Sequence, residues 1–305
     1  MRRAVALLLS LILIVLIASL AFTLLPKRYG SRKILVGTIQ GGISTLDLME
    51  GKVDWIDVMR FDKSLDLAQA LGKGEVDVAV ITSEMYAKFA LKDESLKVIA
   101  ADMLQNQAII GVKELNELRG KKLGATTASG TYAMFLSYIK LAGLSLDDIR
   151  VVDAPPLQLA QAFERGDIDA ILCWEPLVSR LIAKGHEHVD FSDLSRKYVG
   201  RDAVMLVWVA REGVLSRPEL RELMTLRKDA AARWDRDAPQ VLKRLYGLSD
   251  EEVNVLLSRV KVLRGDLRDY EDGIVVSWRL ALMGGYIEGD ESSIELLRMR
   301  AFWEG

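Results

Sequence analysis

A duplicated segment constrains this chain more than any other feature of its sequence. Residues 65–81 align without a gap on residues 157–173, and seven of the 17 aligned positions are identical. Each copy reads as a short helix, a glycine that ends it, an acidic turn and an apolar run suited to a buried strand. Two copies of one helix–strand unit predict two similar α/β lobes that enclose a cleft. The identical pairs include Gly74 with Gly166 and Asp77 with Asp169.

Length and charge agree with two lobes. About 275 residues remain after the first 30, which suits two domains of roughly 100–150 residues each. Half of all residues are apolar, and the formal net charge is −2 with both signs interspersed. No basic stripe is present, which argues against a nucleic-acid partner. The single cysteine, Cys173, ends an apolar run and is predicted to be a buried, inert thiol.

The N-terminus begins with a long apolar run. Between Ala4 and Leu25 the only polar residues are two serines and a threonine. About 22 residues at ~1.5 Å each span ~33 Å, enough to cross a bilayer core of about 30 Å. We expect residues 4–25 to be a retained membrane anchor, with residues 1–32 forming the anchor and linker. A signal peptide cleaved after Ala21 is the alternative. Positive residues on both sides of the run do not favour an external body.

Strand-like runs alternate with helical patterns up to Ala210, and only helical patterns follow, among them Glu271–Met283. The polar stretch Gly185–Asp202 separates a predicted helix, Leu177–Lys184, from the apolar run Ala203–Ala210, and its two histidines, His186 and His188, are predicted to lie on a solvated loop. Ligands of open α/β sheets bind beyond the carboxyl ends of the strands. Four segments occupy such positions, two in each predicted lobe: Thr38–Gly42, Thr82–Ser83, Thr126–Thr131 and Trp174–Glu175.

Residues 118–178 resemble a known family. They contain LRGKKLG, a Ser-Gly turn that opens a helix, and AFERGDIDA followed by Trp-Glu-Pro. These pieces resemble the substrate-binding proteins of ABC importers for aliphatic sulfonates, taurine and nitrate. The same superfamily includes pyrimidine-precursor binders and synthases of thiamine metabolism. The resemblance extends from about Ile34 to Trp234.

This resemblance implies a two-lobed periplasmic-binding-protein type II fold, with a mostly parallel sheet in each lobe and a helical C-terminal region. Crossings between the lobes are expected near Val112 and near Lys197–Ala203. Lobe one would comprise residues 33–111 plus 204–305, and lobe two residues 112–203. The implied function is capture of a solute outside the cell by a monomeric body. The body then docks onto an ABC permease driven by its ATPase.

The four segments supply the candidate ligand residues. Ser129, Gly130 and Thr131 open a helix, whose end suits sulfonate, carboxylate or phosphate groups. Helix capping by Ser129 is the local alternative. Thr38, Gln40, Thr82 and Ser83 could donate further hydrogen bonds, or could simply form strand-to-helix turns and caps. Trp174 could stack on a flat solute or belong to the core. Glu175 could accept an amine or sit beside a helix start.

Charge indicates the class of solute. No arginine or lysine lies in the four segments, whereas Glu84, Glu175, Asp47 and Asp153 lie in or beside them. A small rigid anion is commonly held by a bidentate arginine. The sequence therefore favours a zwitterion or an amine-bearing heterocycle over an inorganic anion such as nitrate.

Catalytic signatures are absent from the sequence. His186 and His188 are its only histidines, and their spacing fits neither a metal site nor a hydrolytic triad. We therefore expect no cofactor, no metal and no enzyme activity. Two other hypotheses stay open beside the receptor: an enzyme of the same fold in thiamine- or menaquinone-precursor synthesis, and a membrane-tethered sensory protein.

Overall fold

The protein is described by a computed structural model that covers residues 33–303. The predicted anchor at residues 4–25 lies outside the described residues. Within residues 33–303, no helix is both long and apolar enough to cross a bilayer. The elements of this part of the chain, in order, are β1 (Ile34–Ile39), β2 (Ile56–Phe61), α1 (Ser64–Lys73), β3 (Val78–Thr82), α2 (Ser83–Ala90), β4 (Leu96–Leu104), β5 (Ala108–Ile110), β6 (Lys122–Ala125), α3 (Gly130–Leu141), β7 (Arg150–Asp153), α4 (Pro156–Glu164), β8 (Ala170–Cys173), α5 (Leu177–Ala183), β9 (His188–Asp190), α6 (Phe191–Val199), β10 (Val204–Arg211), α7 (Glu212–Leu215), α8 (Pro218–Ala232), α9 (Trp234–Tyr246), α10 (Asp250–Arg259), α11 (Glu271–Met283) and α12 (Glu291–Ala301).

The described strands form two sheets with one plan. Their orders are β2-β1-β3-β10-β4 and β7-β6-β8-β5-β9. In each sheet four strands run in the same direction and one opposes them, β10 in the first sheet and β5 in the second. Each sheet is therefore mostly parallel, and each opposing strand comes directly after a crossing from the other sheet.

The duplicated segment forms the same unit in both sheets. It builds α1 and β3 in the first sheet, and α4 and β8 in the second. The glycine after each helix has a positive φ, 75° at Gly74 and 77° at Gly166. Such a backbone conformation strains other residues, which explains why both copies carry glycine there.

An aspartate in each copy ties its unit to the neighbouring strand. The carboxylate of Asp77 accepts the backbone N–H of Leu35 at 3.0 Å, and the carboxylate of Asp169 accepts the backbone N–H of Lys122 at 2.7 Å. These contacts hold β1 beside β3 and β6 beside β8. The identical aspartates of the repeat thus have one structural role in both sheets.

Each sheet carries an apolar core on both faces. In β3, Val78 and Val80 face one core, and Ala79 and Ile81 face the other. The residues of β8 alternate between two cores in the same way. This arrangement explains why both copies end in a continuous apolar run. Cys173 is fully buried, as predicted, and burial raises the pKa of its thiol.

The first crossing lies earlier than the sequence indicated. β5 pairs with β8 and β9, so the chain enters the second sheet between Leu104 and Ala108 rather than near Val112. Three amide residues, 105–107, make this crossing between two apolar strands. The second crossing lies between Val199 and Val204, and the backbone N–H of Gln105 donates to the carbonyl of Ala203 at 3.1 Å.

The prediction that His186 and His188 lie on a solvated loop within Gly185–Asp202 was wrong for His188. This stretch contains β9 and α6. The strand is three residues long and pairs with β5, and His188 lies in it with Nε2 at 3.6 Å from Asp190 Oδ2. Phe191 and Leu194 anchor the helix in the core of the second sheet. Their burial, rather than any long apolar pattern, holds the segment in place.

The C-terminal helices contact both sheet-bearing halves. The predicted helix Glu271–Met283 is confirmed as α11 with the same bounds. It packs against α3 of the second half, where the Ser137 hydroxyl donates to the carbonyl of Leu280. Helix α10 packs against α5. The helical tail therefore joins the two halves as well as covering the first.

The matched aspartates should differ in their contribution to stability. Asp77 also pairs with Arg217 at 2.9 Å, and its side chain is 19% exposed, whereas Asp169 is exposed. We expect Asp77→Ala to lower the free energy of unfolding by about 1–3 kcal/mol, because a shielded N–H loses its acceptor. Asp169→Ala should cost about 0.5–1 kcal/mol, because water replaces the carboxylate. Urea unfolding of both variants measures the difference, and equal losses would contradict this account.

Candidate ligand site between the two sheets

A small cavity lies where the carboxyl ends of the parallel strands of both sheets meet. The volume that the centre of a water molecule can occupy inside this cavity is about 60 Å³. Its wall combines the ends of β1 and β3 and the residues after β1, β6 and β8 with the start of α1, one residue of the first crossing and two residues of β10. The lining residues are Ile39, Gly42, Ile43, Ser64, Thr82, Asn106, Ser129, Gly130, Thr131, Trp174, Glu175, Met205 and Leu206.

Six of the nine predicted site residues line this cavity. They come from three of the four predicted segments, two of which directly follow the two copies of the repeat. Their contact with a ligand stays a prediction, but the structure does bring them together. The six are Thr82, Ser129, Gly130, Thr131, Trp174 and Glu175.

The other three candidates lie elsewhere. Thr38 is buried inside β1, and Gln40 is exposed beyond the end of that strand. The hydroxyl of Ser83 is buried and donates to the carbonyl of Ile274 on α11 at 3.5 Å. Side chains alternate across a strand, so a residue next to a lining residue faces away from it. From this first segment Ile39, Gly42 and Ile43 reach the cavity instead.

Sequence reasoning missed the lining residues in the first crossing and near the start of β10. Asn106 lies in the first crossing, with its Oδ1 buried and without a hydrogen-bond partner. Met205 and Leu206 begin β10, whose reversed direction brings its amino end to this edge of the sheet. Three consecutive amide residues between apolar runs were the available signal for Asn106. The start of β10 could be placed only once the strand order was known.

The start of α3 is capped as predicted. The Ser129 hydroxyl accepts the backbone N–H of Tyr132 at 3.2 Å and donates to the carbonyl of Thr126 at 2.7 Å. This hydroxyl is therefore engaged in capping. Thr131, whose side chain is also buried, is the other hydroxyl residue of this turn at the cavity.

Glu175 has its partners within the protein. The backbone N–H of Ser179 donates to Glu175 Oε2 at 3.1 Å, and Arg259 forms an ion pair with Oε1. Arg259 also pairs with Asp190. Burial raises the pKa of Glu175, and the Arg259 charge opposes that rise. The helix-start role weighed for Glu175 is present, and the partner from α10, 84 positions away, could not be read from the sequence.

Glu84 is a second buried carboxylate, which lies against the lining residue Gly130 without being part of the cavity wall. It is 1% exposed. Burial raises the pKa of Glu84 from 4.5 to about 7, and hydrogen bonds from its own backbone N–H and from the Thr82 hydroxyl offset part of that rise. A Cβ at position 130 would overlap Glu84 Oε1 and lie 2.7 Å from Thr82 Oγ1. Gly130 thus lets the start of α3 rest directly on the end of β3 across the cleft.

The cavity wall carries no arginine or lysine among the described residues. No group of histidine, cysteine, aspartate or glutamate side chains within residues 33–303 has the arrangement of a metal site. The polar groups that face the cavity are hydroxyls, one amide and a carboxylate. Such a wall suits a small organic molecule with hydrogen-bond donors and acceptors better than a bare anion.

A family profile described as NMT1/THI5 like matches residues 56–233, more than half of the chain. The chain belongs to the NMT1/THI5-like family. It is 26% identical over 165 residues to the taurine-binding periplasmic protein of Escherichia coli, covering 52% of this chain and 50% of the relative. It is 24% identical over 156 residues to a putative aliphatic sulfonates-binding protein of the same organism, covering 48% of each chain. The alignments thus span about half the length of these relatives.

The fold has solved counterparts. The periplasmic aliphatic sulphonate binding protein SsuA of Escherichia coli superposes with a TM-score of 0.69 at 16% identity, covering 90% of this chain and 95% of that one. At this identity the likeness establishes the fold alone. The protein therefore has a two-sheet α/β fold of the periplasmic-binding-protein kind.

Adding one methyl group at Gly130 should separate the two halves. We expect Gly130→Ala to raise the radius of gyration and lower the free energy of unfolding by about 1–3 kcal/mol, because the new Cβ overlaps a buried carboxylate. X-ray scattering and urea unfolding measure both effects. Gly72→Ala is the matched control, because its Cβ would meet nothing within 4 Å. Inside α1 this substitution should raise the free energy of unfolding by about 0.5–1 kcal/mol.

The clash can be assigned to Glu84 by a double substitution. Glu84→Ala removes the overlapping oxygen, so Gly130→Ala should cost less in that background than in the native chain. An equal cost in both backgrounds, or a native radius of gyration in Gly130→Ala, would contradict the contact described here.

Stability should depend on pH through Glu84. Its pKa is about 7 in the folded protein against 4.5 ordinarily, so the folded state holds its proton where the unfolded chain has released it. The contribution of Glu84 to stability is thus fully present below pH ~4.5, is lost as the pH rises to about 7, and then stays constant. Between these limits the native chain should lose about 3 kcal/mol more than Glu84→Gln. Urea unfolding at the two ends of this range measures the difference, and parallel pH curves would refute it.

Proposed function

We propose that the protein is an extracytoplasmic solute-binding receptor of an ABC importer. It captures a small organic solute in the cavity between its two sheets and delivers that solute to a membrane permease. One observation carries this proposal: residues that directly follow both copies of the repeat line a single cavity beside the first crossing between the sheets. Such a place is where open α/β sheets bind ligands.

The relatives support a binding role. The proteins that match over about half their length are named as binding proteins for taurine and aliphatic sulfonates. Taurine joins a sulfonate to an amine, and the wall of the cavity here offers hydroxyls, one amide and one carboxylate rather than positive side chains. We therefore propose a sulfonate, a taurine-like zwitterion or an amino-pyrimidine as the class of solute.

The names of these relatives favour a receptor over an enzyme of the same fold. The cavity favours a receptor over a sensory protein. A relative named as periplasmic supports placing the body of residues 33–303 on the extracytoplasmic side. In this proposal residues 4–25 hold the body at the membrane, and the permease with its ATPase is the partner.

A panel of small solutes tests the proposal. Taurine, ethanesulfonate, isethionate and 4-amino-5-hydroxymethyl-2-methylpyrimidine would each be added to the purified full-length chain. A true ligand at 100 times its dissociation constant should raise stability by about 2.7 kcal/mol, visible as a higher Tm. No Tm shift from any member would count against the receptor.

The best ligand of the panel then locates the site. Trp174→Ala should weaken its binding by about tenfold or more, because an aromatic wall is lost. Trp303→Ala is the matched control, since Trp303 is half-buried and packs on the core beside β4, away from the cavity. Titration calorimetry measures both dissociation constants, and a Trp174→Ala variant with native affinity would place the ligand elsewhere.

A further inference from the structure

The backbone at Gly42 forms part of the cavity wall, and its carbonyl meets a tyrosine hydroxyl. Gly42 and Ile43 line the cavity, and the Gly42 carbonyl oxygen accepts the hydroxyl of Tyr246, the last residue of α9, at 2.7 Å. The same hydroxyl lies 3.0 and 3.1 Å from the two carboxylate oxygens of Asp47. Asp47 is 5% exposed and also accepts the backbone N–H of Ser44 at 2.9 Å. One hydroxyl thus faces three oxygen atoms next to the wall.

The hydroxyl of Tyr246 has a single proton to donate. While Asp47 is ionised, its carboxylate attracts that proton, because a hydrogen bond to a charged acceptor is the stronger one. The Gly42 carbonyl then has no donor in Tyr246. When Asp47 is protonated, its own O–H can donate to the Tyr246 oxygen, and the tyrosine proton is free for Gly42. Tyr246 can therefore hold Asp47 and Gly42 at the same time only when Asp47 carries a proton.

The surroundings of Asp47 let it change charge near neutral pH. Burial raises the pKa of Asp47 from 3.8 to about 7, and its hydrogen bonds offset part of that rise. Arg60 on β2 lowers this pKa and Glu50 raises it, and these two side chains pair with each other at 2.9 Å. From α9, Arg244 acts on Glu50. Helix α8, which also packs on this segment, contributes apolar side chains to the core beneath it. Burial also raises the pKa of Tyr246, so its hydroxyl keeps its proton.

The main chain of Tyr246 contacts the other half of the protein. Its carbonyl is one of the last in α9, which have no partner inside the helix, and it accepts a hydrogen bond from the guanidinium of Arg180 on α5. Helix α5 begins just after Trp174 and Glu175, which line the cavity. Tyr246 thus contacts one wall through its hydroxyl and the helix that follows the opposite wall through its carbonyl. Displacing this residue would disturb both walls.

We propose that Tyr246 is a positioning residue of the cavity and that a proton on Asp47 lets its hydroxyl hold the wall at Gly42, so that solute binds more tightly when Asp47 is protonated. The effect on affinity rests on the proposed function, whereas the contact with the wall does not. Protonation joins Asp47, Tyr246 and Gly42 in one chain of hydrogen bonds. Ionisation removes the link to Gly42, loosens the wall and weakens binding.

Hydrogen exchange of the free protein tests the contact with the wall. Mass spectrometry of the full-length chain would follow a peptide covering residues 40–48 at about pH 6 and about pH 8, on either side of the pKa of Asp47. After correction for the intrinsic rate, native exchange should be about threefold faster at the higher pH, the effect of one hydrogen bond. Asp47→Asn, whose amide keeps a donor for the tyrosine oxygen, should show the slower exchange at both pH values. Tyr246→Phe should show the faster exchange at both.

The affinity for ethanesulfonate and taurine tests the effect on binding, because neither solute changes its charge appreciably over this range. Titration calorimetry of the native chain should give a dissociation constant about three- to tenfold higher at about pH 8 than at about pH 6. Asp47→Asn should keep the low-pH constant throughout, and Tyr246→Phe the high-pH constant. Tyr270→Phe is the matched control: it loses a hydroxyl that accepts the backbone N–H of Gly265 at 2.9 Å, and it should keep the native pH dependence.

A second carboxylate needs its own control. The pKa of Glu84 lies in the same range, so Glu84→Gln is measured beside the other variants and should keep the native pH dependence of exchange and affinity. A dependence that disappears in Glu84→Gln but survives in Asp47→Asn would assign it to Glu84 and overturn the inference.

The outcomes separate this inference from the proposed function. Native exchange that is equal at the two pH values, or a pH dependence that survives in Tyr246→Phe, overturns the role of Tyr246 and leaves the receptor in place. Binding of neither sulfonate, together with the expected exchange, counts against the receptor and supports the contact with the wall. The expected exchange together with the expected affinities supports both. If Asp47→Asn fails to fold, the native chain and Tyr246→Phe decide.

Discussion

Parallel pairing beside the repeated unit is the constraint on which the site depends. Because β1 lies parallel to β3, and β6 parallel to β8, the ends of these strands reach the same edge of each sheet. The aspartates after Gly74 and Gly166 fix these neighbours by accepting a backbone N–H from the adjacent strand. With the strands so placed, the residues that follow them have only one region to occupy. The cavity is that region.

Much of the fold could be predicted because the sequence signals that mark its elements are local. The repeat marks both units, Ser129 marks the start of α3, and the pattern of Glu271–Met283 marks α11 with correct bounds. The two short strands β5 and β9 could not be recognised, since three residues carry too little pattern to separate a strand from a loop. Missing β5 in turn moved the expected crossing from residues 105–107 to Val112.

The chemistry of the site was less predictable, because it depends on partners far apart in the chain. Glu84 could be noted beside a strand end, yet only the fold shows that it is buried against Gly130 from the other half with no positive group beside it. Glu175 looked equally available, and Arg259 of α10 neutralises it. Two glutamates with similar surroundings in the sequence thus have opposite electrostatic situations in the fold.

The helical tail bridges the two halves, and this has a consequence for how fast a solute can exchange. In the proposed receptor, opening the cleft would break the ion pairs of Arg259 with Glu175 and Asp190 and the hydrogen bond between Ser137 and Leu280. These contacts favour the closed arrangement, so a solute enters only the fraction of molecules in which they are broken. Apparent affinity falls in proportion to that fraction. Association of the solute is then slower than the diffusion limit, and its dissociation is slow as well.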